Sequence, residues 1–200
     1  MKRSTFFTAA LLAAAVGLAG CASTPDAQGW VMLLDGSDHR TMENWDRVGD
    51  ANWRIVDGAV VADKAGKPSF LVSKSSYKNF QVRAEFWADH TTNSGVLIRL
   101  SDANDITVSN SYEVNIFDGR PTHGTAAIVD VAEASPISKA GAKWNTLVVT
   151  AQGDMLMVEL NGVHTVHVND KRHASGPIAL QYHPEPGGAI KFRKVQVKPL

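Results

Sequence analysis

Phe80-Gln-Val-Arg-Ala-Glu-Phe86 decides the fold class. Its apolar residues fall on every second position and its polar residues on the others, the period of a strand with one buried face. Phe80, Val82, Ala84 and Phe86 are therefore expected to point inward. The same short-strand pattern recurs on both sides. Trp53-Arg-Ile-Val-Asp-Gly-Ala-Val-Val61 reads as two strands around an Asp57-Gly58 turn. Trp144–Thr150, Met155–Leu160 and Val163–Val168 read as a meander turned at Gln152-Gly-Asp154 and Asn161-Gly162, and Ile190–Val197 closes the domain. Beyond the N-terminal leader no window carries a helical period. The expectation is an all-β domain, a sandwich of two antiparallel sheets or a jelly roll.

Three further segments carry a different outward face. They are Asn93-Ser-Gly-Val-Leu-Ile-Arg99, Tyr112-Glu-Val-Asn-Ile-Phe-Asp118 and Ile178-Ala-Leu-Gln-Tyr-His183. Alternation sends Val96, Ile98 and Leu100 inward and Asn93 and Arg99 outward. In the second segment Tyr112, Val114 and Ile116 oppose Glu113 and Asn115. In the third, Ile178, Leu180 and Tyr182 oppose Gln181 and His183. An outward set of Asn, Arg, Glu, Asn, Gln and His suits a neutral polar ligand such as a sugar. Glu113, mid-strand, is the best candidate acid or base, because a carboxylate among polar groups on a packed sheet can have its pKa tuned. Arg99 could orient that carboxylate, pair with it, or hydrogen-bond a substrate oxygen. Asp118 offers a second carboxylate, although Asp118-Gly119 is equally a turn signal. His123 stands in the long stretch Gly119–Lys143, which reads as a functional loop or a disordered one. Arg99, Glu113, Gln181 and His183 are expected to line one concave surface.

The ends and the charge narrow the setting. Met1-Lys-Arg3 followed by the apolar run Phe6–Leu18 has the form of a secretory leader, too short and wrongly flanked for a spanning helix. Leu18-Ala-Gly-Cys21 resembles the bacterial lipobox, which implies lipidation of Cys21, the single cysteine, and an anchor to the membrane rather than a span. Ala22 in the next position implies an outer-membrane lipoprotein facing the periplasm. Residues 1–20 are thus read as leader, 21–28 as tether and 29–200 as the domain. The chain carries 20 basic and 20 acidic residues, with Lys2 and Arg3 in the leader, so nothing marks it for nucleic acid. Phosphate loops, Gly-x-Ser-x-Gly elbows, paired-Cys zinc sites and His-Glu-x-x-His are missing from the sequence, and no metal ligand or cofactor is assigned. Asp102-Ala-Asn-Asp105 reads as a turn. His164 and His167 fall on opposite faces of one strand, and His173 reads as a solvated turn residue.

The ordered set Gly29-Trp30, Leu34-Asp-Gly36, Trp53, Asp57-Gly58, Tyr77-Lys-Asn-Phe80, Asn93-Ser-Gly95, Arg99, Tyr112-Glu-Val-Asn-Ile116, Lys143-Trp-Asn145, Asn161-Gly162, Gly176–Gln181 and Phe192-Arg193 resembles the 3-keto-disaccharide hydrolase domain family, long known as DUF1080. The resemblance spans about Gly29 to Leu200. It implies a concanavalin A-like lectin/glucanase jelly roll and cleavage of glycosides already oxidised to a ketone at C3. Asn115 stands where the family usually has Gln. Tyr182-His183 is followed by Pro184-Glu-Pro186 where Gly is usual, and Gly124-Thr-Ala-Ala-Ile128 replaces a Gly-Ala-Ile-Tyr segment. The resulting expectation is a 3-keto-glycoside hydrolase or lyase. Glu113, His183 and Arg99 would do its chemistry, and Asn93, Asn115, Asp118, His123 and Gln181 would hold the sugar. The alternatives are a non-catalytic carbohydrate-binding envelope lipoprotein on the same fold, or an envelope protein whose long loop binds a protein partner.

Overall fold

A computed structural model describes residues 24–200, so the leader 1–20, Cys21 and the start of the tether lie outside the described residues. Among the described residues thirteen strands and one short 3-10 helix, His39–Asn44, form two antiparallel sheets. The strands are β1 (Val31–Asp35), β2 (Trp45–Val48), β3 (Arg54–Val56), β4 (Ala59–Ala62), β5 (Ser69–Tyr77), β6 (Phe80–Ala88) and β7 (Asn93–Ile98). They continue with β8 (Tyr112–Ile116), β9 (Trp144–Gln152), β10 (Met155–Leu160), β11 (Val163–Asn169), β12 (Gly176–His183) and β13 (Ile190–Pro199). The larger sheet runs β11-β10-β9-β6-β13-β4-β3, with β1 also on β13, and the smaller runs β2-β5-β12-β7-β8.

One apolar core fills the space between the sheets. Phe80, Val82, Ala84 and Phe86 of β6 meet Val149, Leu147 and Phe192 of their own sheet and Val96, Ile98, Tyr112, Val114, Ile178 and Leu180 of the other. The turns that set the registers have the chemistry the sequence announces. Asp57-Gly58 and Asn161-Gly162 both take positive φ at the two central residues, the conformation of a tight hairpin turn that matches strand twist. The β9–β10–β11 meander is formed as expected.

The outer face of the smaller sheet is not simply open to water. Phe70, Val72, Leu97 and Ala179 form a second apolar cluster there, packed against Leu100, Ala103 and Ile106 of the β7–β8 connection. That connection includes 102–105, which is irregular as expected of a turn. The long stretch after β8 is also built into the fold. Val129 donates its N–H to the Glu113 carbonyl at 3.0 Å, Asn115 donates to Ala127 at 3.0 Å, and Ala126 donates to Asn115 at 2.8 Å. Residues 126–129 are buried along β8, which decides between a disordered loop and a structured one.

Candidate functional site

On the outer face of the smaller sheet, strand pairing sets Gln181 of β12, Gly95 of β7 and Asn115 of β8 side by side, with Phe70 of β5 beyond Gln181. Glu113 lies opposite Leu97, one pleat along. Gly95 is what lets these polar groups converge. A Cβ at that position would stand 3.1 Å from both Cγ and Oε1 of Glu113 and 3.2 Å from the Val114 carbonyl. With only hydrogen there, the Glu113 carboxyl lies over the β7 backbone toward the Gln181 amide, which hydrogen-bonds to it.

Glu113 is 8% exposed. Burial pushes its pKa up to about 7; the Arg120 guanidinium pulls it back, the Asp130 carboxylate pushes it further, and the Gln181 hydrogen bond favours the ionised form. A carboxyl in this state is divided between acid and base at neutral pH. The amides beside it are buried as well. Asn115 donates from Nδ2 to the His123 carbonyl at 2.6 Å, while its Oδ1 is buried with no partner among the described residues. The Oε1 of Gln181 is equally buried and unpartnered. Unmatched acceptors are uncommon in folded interiors, and here they cluster on the face that carries the shifted carboxyl.

His183 and Asn93 form the next cross-strand pair toward the rim, both half-buried. The Glu185 N–H donates to His183 Nδ1 at 3.1 Å, within the turn that departs from the strand. Nδ1 also stands 3.0 Å from the Glu185 carbonyl, so the ring's tautomer sets which of the two contacts it makes.

Arg99 is not part of this face, contrary to the expectation from alternation. β7 ends at Ile98, and Arg99 takes a positive φ of 54° that turns its side chain away from Glu113. Its guanidinium is 1% exposed and donates to three backbone carbonyls: Lys78 at 2.6 and 3.1 Å, Gly153 at 2.9 Å and His173 at 3.1 Å. It ties the β5–β6, β9–β10 and β11–β12 connections together. Leu100 follows the same reversal and joins the outer cluster rather than the core. Asp118 is likewise a loop anchor. The Asp118 carboxylate accepts from Thr125 Oγ1 at 2.6 Å and from the N–H groups of Ala140 and Gly141 at 2.8 to 3.0 Å. His123 lies in the long loop with Arg120, Pro121 and Glu133 around a small hollow.

His173 also differs from its sequence reading. It is buried, packs T-shaped on Tyr112 at 4.9 Å, and donates its N–H to the Tyr112 hydroxyl, which donates in turn to Asp170 at 2.7 Å. Its neighbours Lys171 and Arg172 remain exposed, as that reading has them. His164 and His167 are both exposed on β11, and the bulge between Val158 and Glu159 pairs them with Glu159 and Met157, on one face rather than the two expected.

The model of the 3-keto-alpha-glucoside-1,2-lyase-like domain matches residues 29–198. Among solved structures, a candidate glycosyl hydrolase from Parabacteroides distasonis ATCC 8503 is 24% identical, with a TM-score of 0.69 over 86% of this chain and 99% of its own. A second from the same organism is 17% identical, with a TM-score of 0.72 over 87% and 95%. The carbohydrate-binding module CBM66 from Bacillus subtilis is 18% identical, with a TM-score of 0.59 over 78% and 95%. These likenesses establish the jelly-roll-like fold. Among curated proteins no relative matches.

Proposed function

Since the chain belongs to the 3-keto-alpha-glucoside-1,2-lyase-like domain family, we propose that it cleaves 3-keto-glycosides on the outer face of its smaller sheet, with Glu113 as the base. The observation that carries this reading is the buried Glu113 carboxyl, laid across Gly95 with its pKa near 7.

A ketone at C3 acidifies the proton at C2. The Glu113 carboxylate takes that proton, and the electrons of the C2–H bond pass into an enolate. Its collapse forms the C1–C2 double bond and expels the oxygen at C1. His183, in its protonated form, gives the leaving oxygen a proton, and the aglycone departs as an alcohol. Addition of water across the double bond completes a net hydrolysis; without it the reaction is an elimination. Donors aimed at the developing enolate oxygen lower the barrier. The Gln181 amide is the group of suitable chemistry on this face, with Asn93 and Asn115 as partners for sugar hydroxyls.

The full chain is incubated with 3-keto-trehalose or a 3-keto-glucoside and the released aglycone is measured. Turnover that disappears in Glu113→Gln while binding persists supports the proposal. Binding without turnover in the parent chain overturns it in favour of a carbohydrate-binding lipoprotein. One observation favours that second reading: Arg99 is spent on backbone carbonyls and leaves the face without its expected cation.

The anchor belongs to the same proposal. The Leu18-Ala-Gly-Cys21 sequence supports lipidation of Cys21 and a periplasm-facing position on the outer membrane. Cys21→Ser is expected to shift the chain from membrane to soluble fractions; unchanged membrane retention would exclude the anchor.

A further inference from the structure

The outer face of the larger sheet carries a feature that the proposed chemistry does not use. Strand pairing sets Trp144 of β9 opposite Trp87 of β6, Trp87 opposite Lys191 of β13, Lys191 opposite Val61 of β4, and Val61 opposite Arg54 of β3. Their core-facing neighbours Phe86, Phe192, Val60 and Ala62 fix this row on the outside. The row floors an open groove of about 480 Å³, within the range of small-ligand sites.

Of the five tryptophans, Trp30, Trp45 and Trp53 are buried at 8%, 5% and 3% exposure, whereas Trp144 is 39% exposed and Trp87 half-buried. The indole surface open to solvent is therefore concentrated in one place. Both rings are also held. Lys191 Nζ stands 4.5 Å from the Trp87 ring centre and the Arg193 guanidinium 4.5 Å from that of Trp144, with Arg193 itself bonded to Glu85. A cation over one face of a ring restricts it before any ligand arrives, which lowers the ordering cost of binding.

Around the rings the groove is polar and nearly balanced in charge. Arg54 and Asp63 are paired at 2.6 Å, Asp89 accepts the Ala189 N–H at 2.7 Å, and Asp57 stands in the hairpin turn. Carboxylates that outnumber cations discourage a polyanion, and charged groups across the floor discourage an apolar helix. Flat apolar rings beside carboxylate acceptors and ammonium or guanidinium donors match a pyranose, whose ring presents C–H faces and a girdle of hydroxyls.

We propose that this groove is a second carbohydrate-binding site, separate from the Glu113 face and suited to a neutral glycan. Its task is to hold polymer rather than to cleave it. The two sites share connections: 89–92 runs from Trp87 and Asp89 to Asn93, and 184–189 runs from His183 to Lys191.

The test is native-gel retardation of the full chain by soluble starch, laminarin and hydroxyethyl cellulose. The expected result is retardation by at least one glucan, weakened roughly tenfold or more in Trp144→Ala, as truncation of an aromatic anchor does. Trp144→Phe keeps a ring and is expected to retain part of the binding. Glu113→Gln is expected to be retarded like the parent, and Trp144→Ala to keep its turnover of a small 3-keto-glucoside, which separates this site from the proposed active face. No retardation by any of the three, retardation unchanged in Trp144→Ala, or retardation lost in Glu113→Gln would each overturn the proposal.

Discussion

The two outer faces of the sandwich place charge in opposite ways. On the larger sheet, Arg54 and Asp63 are each about two-fifths exposed and paired to one another, and Arg193 meets Glu85 at the surface. On the smaller sheet, Glu113 is buried with no salt-bridge partner among the described residues, and the acceptors of Asn115 and Gln181 are unmatched among them. Both faces arise from the same alternating pattern. The difference is cover: Leu100, Ala103 and Ile106 pack on the smaller sheet's outer face and 126–129 pair along β8, and the groove on the larger sheet's outer face is open. Charge that costs little in water becomes tunable, and expensive, under a lid of protein.

The largest effect should come from Glu113→Gln. Turnover of a 3-keto-glucoside should fall by about 10²–10⁴-fold, the range for loss of a general base, with the melting temperature at pH 8 unchanged or raised. Persistent turnover would move catalysis off this face. Next is Arg99→Met, which leaves three carbonyls without donors. Only the His173 carbonyl is buried, those of Lys78 and Gly153 lying on exposed residues, so at about 1–3 kcal/mol for a buried group denaturant unfolding should show a loss of roughly that size, with kcat of the folded fraction unchanged. A fall in kcat with stability intact would restore Arg99 to the site.

The pH dependence is set by Glu113. Its folded pKa of about 7 stands above the ordinary 4.5, so the native state holds a proton that the unfolded chain releases. The stability from this group is complete below about pH 4.5 and is lost as pH rises through 7, a change of up to about 3 kcal/mol. The limb of the activity profile set by Glu113 should run the other way, rising as the base ionises near pH 7. In Glu113→Gln this part of the stability slope should vanish. Gly95→Ala is a smaller perturbation: the new methyl displaces the carboxylate by a few tenths of an ångström, and turnover should drop by up to roughly tenfold with the fold kept. The smallest effect belongs to the open face, where Arg54→Ala should cost under about 1 kcal/mol, as exposed pairs do. A larger loss there would erase the contrast between the faces.

Local alternation made the strands legible. The inward residues of β6, β8 and β12, and Val96 and Ile98 of β7, stand where a period of two puts them. The reading failed one residue past the end of β7. A left-handed residue reverses the parity of its successors in the chain, and nothing in Ile98-Arg-Leu100 announces that Arg99 takes φ 54°. Glu113, Asn115 and Gln181 were identifiable because each sits inside a strand. The role of Gly95 was not, because it depends on which residues of two other strands lie beside it. The Trp87–Trp144 pair was hidden for the same reason: 57 positions separate residues that the β6–β9 register makes neighbours. Asp118 was read as either a ligand or a turn, and its bonds to Thr125, Ala140 and Gly141 resolve it as the anchor of the loop.

The pairing of 126–129 along β8 has a consequence beyond the site. β8 ends the smaller sheet, and a terminal strand normally offers a row of bare N–H and C=O groups on which another chain can polymerise. Here Asn115 and Glu113 have those groups occupied by Ala126, Ala127 and Val129. The strand that bears the carboxyl is thereby closed to strand exchange along that edge.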